Sequence, residues 1–385
     1  MTHELVPRRA SAAASGSSES ASVPSVAADL GPFDQRIKAH SHKPRLLAIA
    51  AGAFPPPVSV KIELTNVCNH DCHFCAYRRI VQAAKPAGML EEQRVLDLVD
   101  ELARGGVGGL MFTGGGEPLV HPACDRIFAR CRERQIQHAL ITNGTLLSRI
   151  SDEGIRGLRW IRFSINAGSC EEYAAVHGAS LQDWARVWTN VARAADKAAF
   201  PALAVGISFV ATARNKDSVR ALVLRAKEHG ADYVHVRPAF EGPHTELGRQ
   251  LDEAEREAIK RELDALVELE TTTFRVYGVK RRFDEIASAD RKHVHCRSTP
   301  LVSYVLPSGD VTICTLVRVT SFNPAVRDPF VGNLRHGRFF DLWGSDKHRK
   351  LIASLSRTGC TRCHFAEYNR VLEDVERDVH HASFL

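Results

Sequence analysis

At 385 residues, 44% hydrophobic and 25% charged, the chain has an ordinary globular composition and is long enough for one large domain plus a smaller one. No apolar run reaches the roughly 18–20 residues needed to span a bilayer, and the N-terminus carries no apolar core of a secretory signal, so a cytoplasmic protein is expected. The net charge of +6 is mild, and Lys and Arg are spread through helical patterns instead of forming a basic stripe, which argues against nucleic acid and membranes as partners.

Residues 1–32 are rich in Ala and Ser; such a tail buries too little apolar surface to offset its ordering entropy, and disorder is expected. Residues 33–57 form a lead-in whose apolar stretch Leu46-Leu47-Ala48-Ile49-Ala50 suits a short helix packed on the main domain, before Pro55-Pro56-Pro57 forces extended backbone. From Val58 strand and helix signals alternate. The apolar runs 58–64, 108–113, 137–142, 160–166, 203–210 and 231–237 read as strands, with helical patterns near 90–104, 123–135, 145–156, 170–199 and 216–229 between them. Six βα units across 58–250 predict an α/β fold with a parallel sheet, curved or closed, helices outside and the site at the strand C-terminal ends. A helix and strand at 251–290 connect to a cysteine-bearing segment, 291–370. A tail, 371–385, follows, and residues 365–385 read as a short helix with a frayed end.

The ten cysteines fall mostly in tight clusters of metal-ligand spacing, which favours metal binding in a reducing compartment over disulfides. Cys68, Cys72 and Cys75 sit on the loop after the first strand, where three thiolates can converge on one metal centre. Iron–sulfur clusters normally take four thiolates, so a set of three leaves one iron open to a substrate or cosubstrate. His70 and His73 could instead complete a zinc site. The spacing C-x-x-x-C-x-aromatic-C, with Phe74 in the aromatic place, resembles the radical S-adenosylmethionine (SAM) superfamily. The resemblance implies a six-stranded parallel partial (β/α)6 barrel, a [4Fe-4S] cluster on the three cysteines, SAM bound beside it, and a reductant such as flavodoxin or ferredoxin.

Every further motif falls at a predicted strand end. Thr113-Gly114-Gly115-Gly116-Glu117-Pro118 follows strand two, and consecutive glycines let backbone approach a ligand closely. Read alone it is a tight turn with a solvated Glu; it is similar to the family's G-G-E motif, which implies that Gly115, Gly116 and Glu117 hold the amino group of SAM. Thr142-Asn143-Gly144 ends strand three on the same rim. Strand four alternates, with Arg162, Ser164 and Asn166 on one face and Ile161, Phe163 and Ile165 on the other. By resemblance Ser164 and Asn166 contact the SAM ribose. Lys61 and Glu63 repeat the alternation on strand one and suit an internal ion pair. Gly206 in strand five marks close approach of a ligand or another backbone, and the loop 239–250, with Glu241, His244 and Glu246, is the first guess for substrate contacts.

In the C-terminal part, Cys296 and Cys314 flank a hairpin turning at Ser308-Gly309-Asp310, and Cys360-Thr361-Arg362-Cys363 follows a helix near 336–356. Four cysteines with a C-x-x-C arm suit structural zinc. They also resemble the one-cluster, twitch form of the SPASM extension, which implies a small α+β domain with an auxiliary [4Fe-4S] cluster. Cys124 and Cys131 lie on a barrel helix as small hydrophobes; Cys170, near the rim, is a candidate hydrogen-atom donor. The resemblance implies an oxidoreductase-type enzyme that cleaves SAM to a 5′-deoxyadenosyl radical and takes a hydrogen atom from a small-molecule substrate. A small polar metabolite of sugar, aminocyclitol or nucleoside type, undergoing dehydrogenation, is the expectation. Epimerisation or rearrangement, peptide maturation, and a zinc-binding protein without catalysis are the alternatives.

Overall fold

Among the described residues, short apolar runs between turn residues build ten strands, all in one sheet. They are β1 (Ser59–Ile62), β2 (Gly109–Phe112), β3 (Gln137–Thr142), β4 (Trp160–Ser164), β5 (Ala204–Ala211), β6 (Tyr233–Pro238), β7 (Arg275–Gly278), β8 (Val302–Val305), β9 (Asp310–Thr312) and β10 (Phe330–Asn333). The structure is a computed structural model that describes residues 33–77, 88–239, 250–285, 296, 299–315, 317, 326–358, 363 and 365–376. The 1–32 tail, residues 240–249 of the candidate substrate loop, Cys360 and residues 377–385 lie outside them.

The strand order is β10-β9-β8-β1-β2-β3-β4-β5-β6-β7. β1 to β7 run parallel in chain order, the topology of a partial (β/α) barrel with one parallel strand more than the six expected. The chain then returns to the far edge of β1, where β8 pairs in parallel, Lys61 opposite Tyr304. β9 and β10 continue antiparallel. The C-terminal extension is therefore continuous with the barrel sheet. An unpaired β1 edge would present a row of free backbone donors and acceptors, and β8 covers it.

Alternation along the strands divides two environments. On β4, Ile161 and Phe163 are fully buried beneath the helices, while Trp160, Arg162 and Ser164 are half-buried on the interior face. Helices Glu92–Arg104, Cys124–Glu133, Leu181–Ala195 and Val219–Glu228 pack on the outer face over Val60, Phe112, Phe163, Ile207 and Val234. The single helix expected over 170–199 is two, because Gly178 at φ +56° caps Cys170–His177 and Ser180 with Asp183 forms a capping box that starts Leu181–Ala195. Cys124 and Cys131 are buried on their helix, as small hydrophobes should be. At mid-strand Gly206 a Cβ would lie 2.1 Å from the ring of Tyr233, so the glycine makes room for an aromatic.

The lead-in and the C-terminal segment form one layer. Helices Gln35–His40, Lys43–Ala50 and Ala366–Glu376 enclose a second core with Leu46, Ile49, Leu301, Val371 and Leu372. This layer delivers Phe33 against the interior face of the sheet, stacked on His235 at 4.2 Å, edge-on to Tyr233 and Tyr277, with the Arg162 guanidinium 4.8 Å from its ring centre. Among the described residues no helix is long and apolar enough to cross a membrane.

His348, on helix Asp346–Thr358, is fully buried against Trp343 and Phe54, and its Nδ1 accepts the Gly344 N–H at 3.0 Å. The ring can keep that bond only while neutral; burial, then nearby Arg349, lowers its pKa from 6.5 to about 4. Between those values the unfolded chain takes up a proton that the folded chain refuses. The contribution is thus complete above about pH 6.5 and is lost as pH falls toward 4, about 2 kcal/mol by pH 5. His348→Asn keeps an acceptor and cannot titrate, so its thermal midpoint should fall less between pH 7.5 and 5 than that of the wild type; parallel falls would refute the assignment.

Candidate active site

The loop that carries Cys68, Cys72 and Cys75 has almost no regular secondary structure, and neighbouring strand ends supply its hydrogen bonds. At its base, Leu64, Thr65 and Asn66 bond to the returning residues 88–90: Leu90 N–H donates to Leu64 O (2.9 Å), Asn66 N–H and Thr65 Oγ1 donate to Gly88 O, and Gly88 N–H donates to Asn66 Oδ1 (2.6 Å). The turn after β2 holds the next stretch, where Glu117 N–H donates to Val67 O at 2.9 Å. The turn after β3 holds Asn69, whose side chain donates to Thr145 Oγ1 (2.9 Å) and accepts from Asn143 Nδ2 (2.8 Å). The end of helix Cys170–His177 holds the far side: Asp71 N–H donates to His177 O and His73 N–H to Val176 O.

Glycine is required where these supports touch the loop. A Cβ on Gly116 would lie 2.2 Å from Val67 O and 2.7 Å from Thr65 O, both backbone atoms that a side chain cannot displace. Gly114, at φ +133°, faces the Glu63 side chain at 2.2 Å, so this additional glycine of the motif is structural as well. Gly178 similarly abuts Asp71 O at 2.7 Å.

Glu117 is not a solvated turn residue. Its carboxylate is buried and accepts from Leu119 N–H (3.0 Å), Thr142 Oγ1 (2.6 Å) and Asn143 N–H (2.7 Å), joining the turns after β2 and β3. Burial raises its pKa, and these three donors oppose the rise. The side chain expected to receive the SAM ammonium is thus engaged with the protein, while Gly116 lies directly beside the cysteine loop. Asn166 is similarly engaged: Oδ1 accepts from Val210 N–H (2.7 Å) and its backbone O from Asn215 Nδ2 (2.8 Å). Ser164, paired with Ser208 across β5, stays half-buried on the interior face.

Cys68, Cys72 and Cys75 are all half-buried, and the Cys72 thiol is itself enclosed. Its pKa is pushed up by burial first and then by Cys75 and Cys68, whose thiolates lie close enough to repel its own. A buried thiol that resists ionising beside two further sulfurs is what a cationic metal centre stabilises. Soft sulfur donors on a rigid, glycine-lined loop fit an iron–sulfur cluster. Behind Cys72, His177 Nδ1 lies 3.3 Å from Sγ, and its Nε2 faces Asn166. His70, Cys72 and His177 have ligand atoms within 4.8 Å of one another, a grouping the sequence concealed because 105 residues separate Cys72 from His177. Phe74 stands edge-on to His73 and His177. Cys170 begins its helix with Sγ 3.4 Å from Leu181 O.

Below the rim, Lys61 donates to Tyr304 Oη at 3.0 Å, a partner other than the Glu63 expected for it. Arg162 reaches Tyr233 Oη at 3.3 Å. Tyr304 is buried, and burial first, then Cys314, Tyr77 and Glu63, raises its pKa; its hydroxyl meets Lys61 of β1, and it belongs to the second core, on which Cys314 and Cys363 pack. Of that second set, Cys314 packs on both hydrophobic cores, Cys296 on the first and Cys363 on the second. Cys363 Sγ accepts from Phe365 N–H at 3.4 Å and from buried Asn369 Nδ2 at 3.5 Å, donors suited to a metal-bound thiolate.

Residues 62–208 match the profile described as the radical SAM superfamily. The chain is 26% identical over 339 residues to the AdoMet-dependent heme synthase of Methanosarcina barkeri, covering 82% of this chain and 90% of that one. It is 28% identical over 184 residues to a probable GTP 3′,8-cyclase of Metallosphaera sedula, covering 47% of this chain and 55% of the cyclase. The crystal structure of Streptococcus suis SuiB bound to precursor peptide SuiA superposes with a TM-score of 0.61 at 17% identity, over 83% of this chain and 71% of that one, a likeness of fold.

Gly116→Ala should leave the far-UV circular dichroism unchanged while forcing the cysteine loop off its support. Anaerobically reconstituted protein is expected to lose about four irons per chain, the content of one cluster; loading equal to wild type would show that the contact does not matter.

Proposed function

We propose that this chain, whose residues 62–208 are a radical SAM domain, removes a hydrogen atom from a small, oxygen-rich metabolite and completes a dehydrogenation. The observation that carries the reading is the cysteine loop, three thiols on one segment fixed by the turns after β2 and β3 and the helix after β4. When bound, a [4Fe-4S] cluster and SAM supply the 5′-deoxyadenosyl radical that takes the hydrogen atom.

The protein's own part is to bind, orient and exclude water. Gly115 and Gly116 bring backbone to the cluster rim, and Ser164 offers a hydroxyl on the interior wall. Lys61, Arg162, Tyr233 and Tyr304 line that wall with cations and hydroxyls, a surface suited to hydroxyl, phosphate or carboxylate groups of a substrate. Phe33 closes the lower interior between Tyr233 and Tyr277, which limits water near a reactive intermediate. Cys296, Cys314, Cys360 and Cys363 would hold an auxiliary [4Fe-4S] cluster, the one-electron acceptor that a dehydrogenation needs; the two N–H donors at Cys363 support this.

A second reading takes a precursor of heme as substrate. It is favoured by the length of the match to the heme synthase, nine-tenths of that relative. Cationic groups on the interior wall would serve its carboxylates equally well.

Anaerobically purified protein should carry roughly seven to eight irons, the count of two four-iron clusters, and release 5′-deoxyadenosine from SAM under a low-potential reductant. Cys72→Ala should lower that release at least a hundredfold. Zinc in place of iron, or undiminished release from the variant, would refute the proposal. Screening glycosides, nucleosides and carboxylated tetrapyrroles for substrate-dependent 5′-deoxyadenosine separates the two readings.

A further inference from the structure

His177 belongs to none of the motifs that mark the site, yet its contacts leave it one arrangement. The ring is fully buried, stacked on Tyr173 at 4.4 Å and bordered edge-on by His70 and Phe74. Its Nε2 lies 3.3 Å from the backbone nitrogen of Asn166, which is a donor only, and 3.2 Å from Asn166 Nδ2. Nε2 is therefore the acceptor, and a neutral imidazole with one accepting nitrogen carries its proton on the other. That nitrogen, Nδ1, is 3.3 Å from Cys72 Sγ.

We infer that His177 is a positioning residue that donates a hydrogen bond from Nδ1 to the Cys72 thiolate and thereby raises the reduction potential of the cluster held there. The inference rests on the reading of Cys72 as a cluster ligand. Hydrogen bonds to ligand sulfur withdraw charge from the cluster and favour its reduced form. Reduction is the step that a radical SAM site must make easy. The same residue also anchors the loop, since His177 O accepts the Asp71 N–H at 2.9 Å, so ring and backbone together fix Cys72 against Asn166 and β5. The rival role for the ring is direct ligation, for which the grouping of His70, Cys72 and His177 is compact enough.

The test uses the full-length chain, reconstituted without oxygen and titrated against potential, with the N-terminal cluster identified by the change in its electron paramagnetic resonance spectrum on adding SAM. His177→Phe keeps the stacked ring and removes the donor. It should retain iron, yet at the wild-type midpoint its ratio of reduced to oxidised cluster should fall about tenfold, equal to about 59 mV for one electron. His177→Asn, whose amide N–H stands near the position of Nδ1, should recover most of that loss. In wild-type protein labelled with 15N-histidine, a weak nitrogen coupling to the reduced cluster is expected, and this measurement decides the matter if His177→Phe fails to load. An unchanged potential in His177→Phe, or the strong coupling of a coordinated nitrogen, overturns the inference while leaving the proposed function standing. A wild-type chain without a four-iron cluster overturns both.

Discussion

An irregular loop must be told where to stand by something other than its own hydrogen bonds, and that constraint governs this structure. The segment from Thr65 to Tyr77 satisfies little of its backbone internally, as a helix would, and does not pair along a ladder, as a strand would. Each of the first four strands contributes to fixing it: β1 delivers it, the turn after β2 bonds Val67, the turn after β3 bonds Asn69, and the helix after β4 bonds Asp71 and His73. The loop that carries the three thiols has a fixed place because four consecutive βα units meet around it. This is the general logic of parallel sheets, whose strand C-termini gather loops from distant parts of a chain at one rim.

The supports are themselves built from buried polar groups, which demand complete satisfaction. A carboxylate as enclosed as that of Glu117 is tolerated only with partners, and its three donors come from two different turns. Asn166 likewise joins β4, β5 and His177. Such networks are rigid because any displacement leaves a buried donor or acceptor unpaired at a cost of about 1–3 kcal/mol. Precision at the thiols therefore comes from polar connections beneath the rim, while the apolar core under the helices sets the position of the strands.

The six strands and the rim motifs were legible in the sequence because both rest on local signals: alternation, glycine spacing and cysteine spacing. The partial barrel, the hairpin around Ser308-Gly309-Asp310 and the inward face of Arg162 and Ser164 all follow from such patterns. What escaped notice depends on distant partners. β7 is the strand expected within 251–290, but its parallel pairing with β6 was not foreseen, and the parallel pairing of β8 with β1 joins segments some 240 residues apart. Gly206 carries a generic signal for crowding, and only the register with β6 reveals Tyr233 as the cause. Glu117 and Asn166 read equally well as ligand contacts or as buried connectors, since sequence gives the residue type and not the direction of its side chain. The histidine behind Cys72 had no spacing rule to announce it.

The placement of β8 also has a consequence in time. The outer edge of β1, the strand that leads into the cysteine loop, acquires its partner only when residues 302–305 have been made. Until then a nascent barrel presents an open edge, the kind of surface on which partly made chains associate wrongly. Closing it requires joining the first and eighth strands across most of the chain, a slow, non-local event. Synthesis from the N-terminus thus leaves the outer edge of β1 uncovered until late, although the supports of the cysteine loop, the last of them at Val176 and His177, are made much earlier.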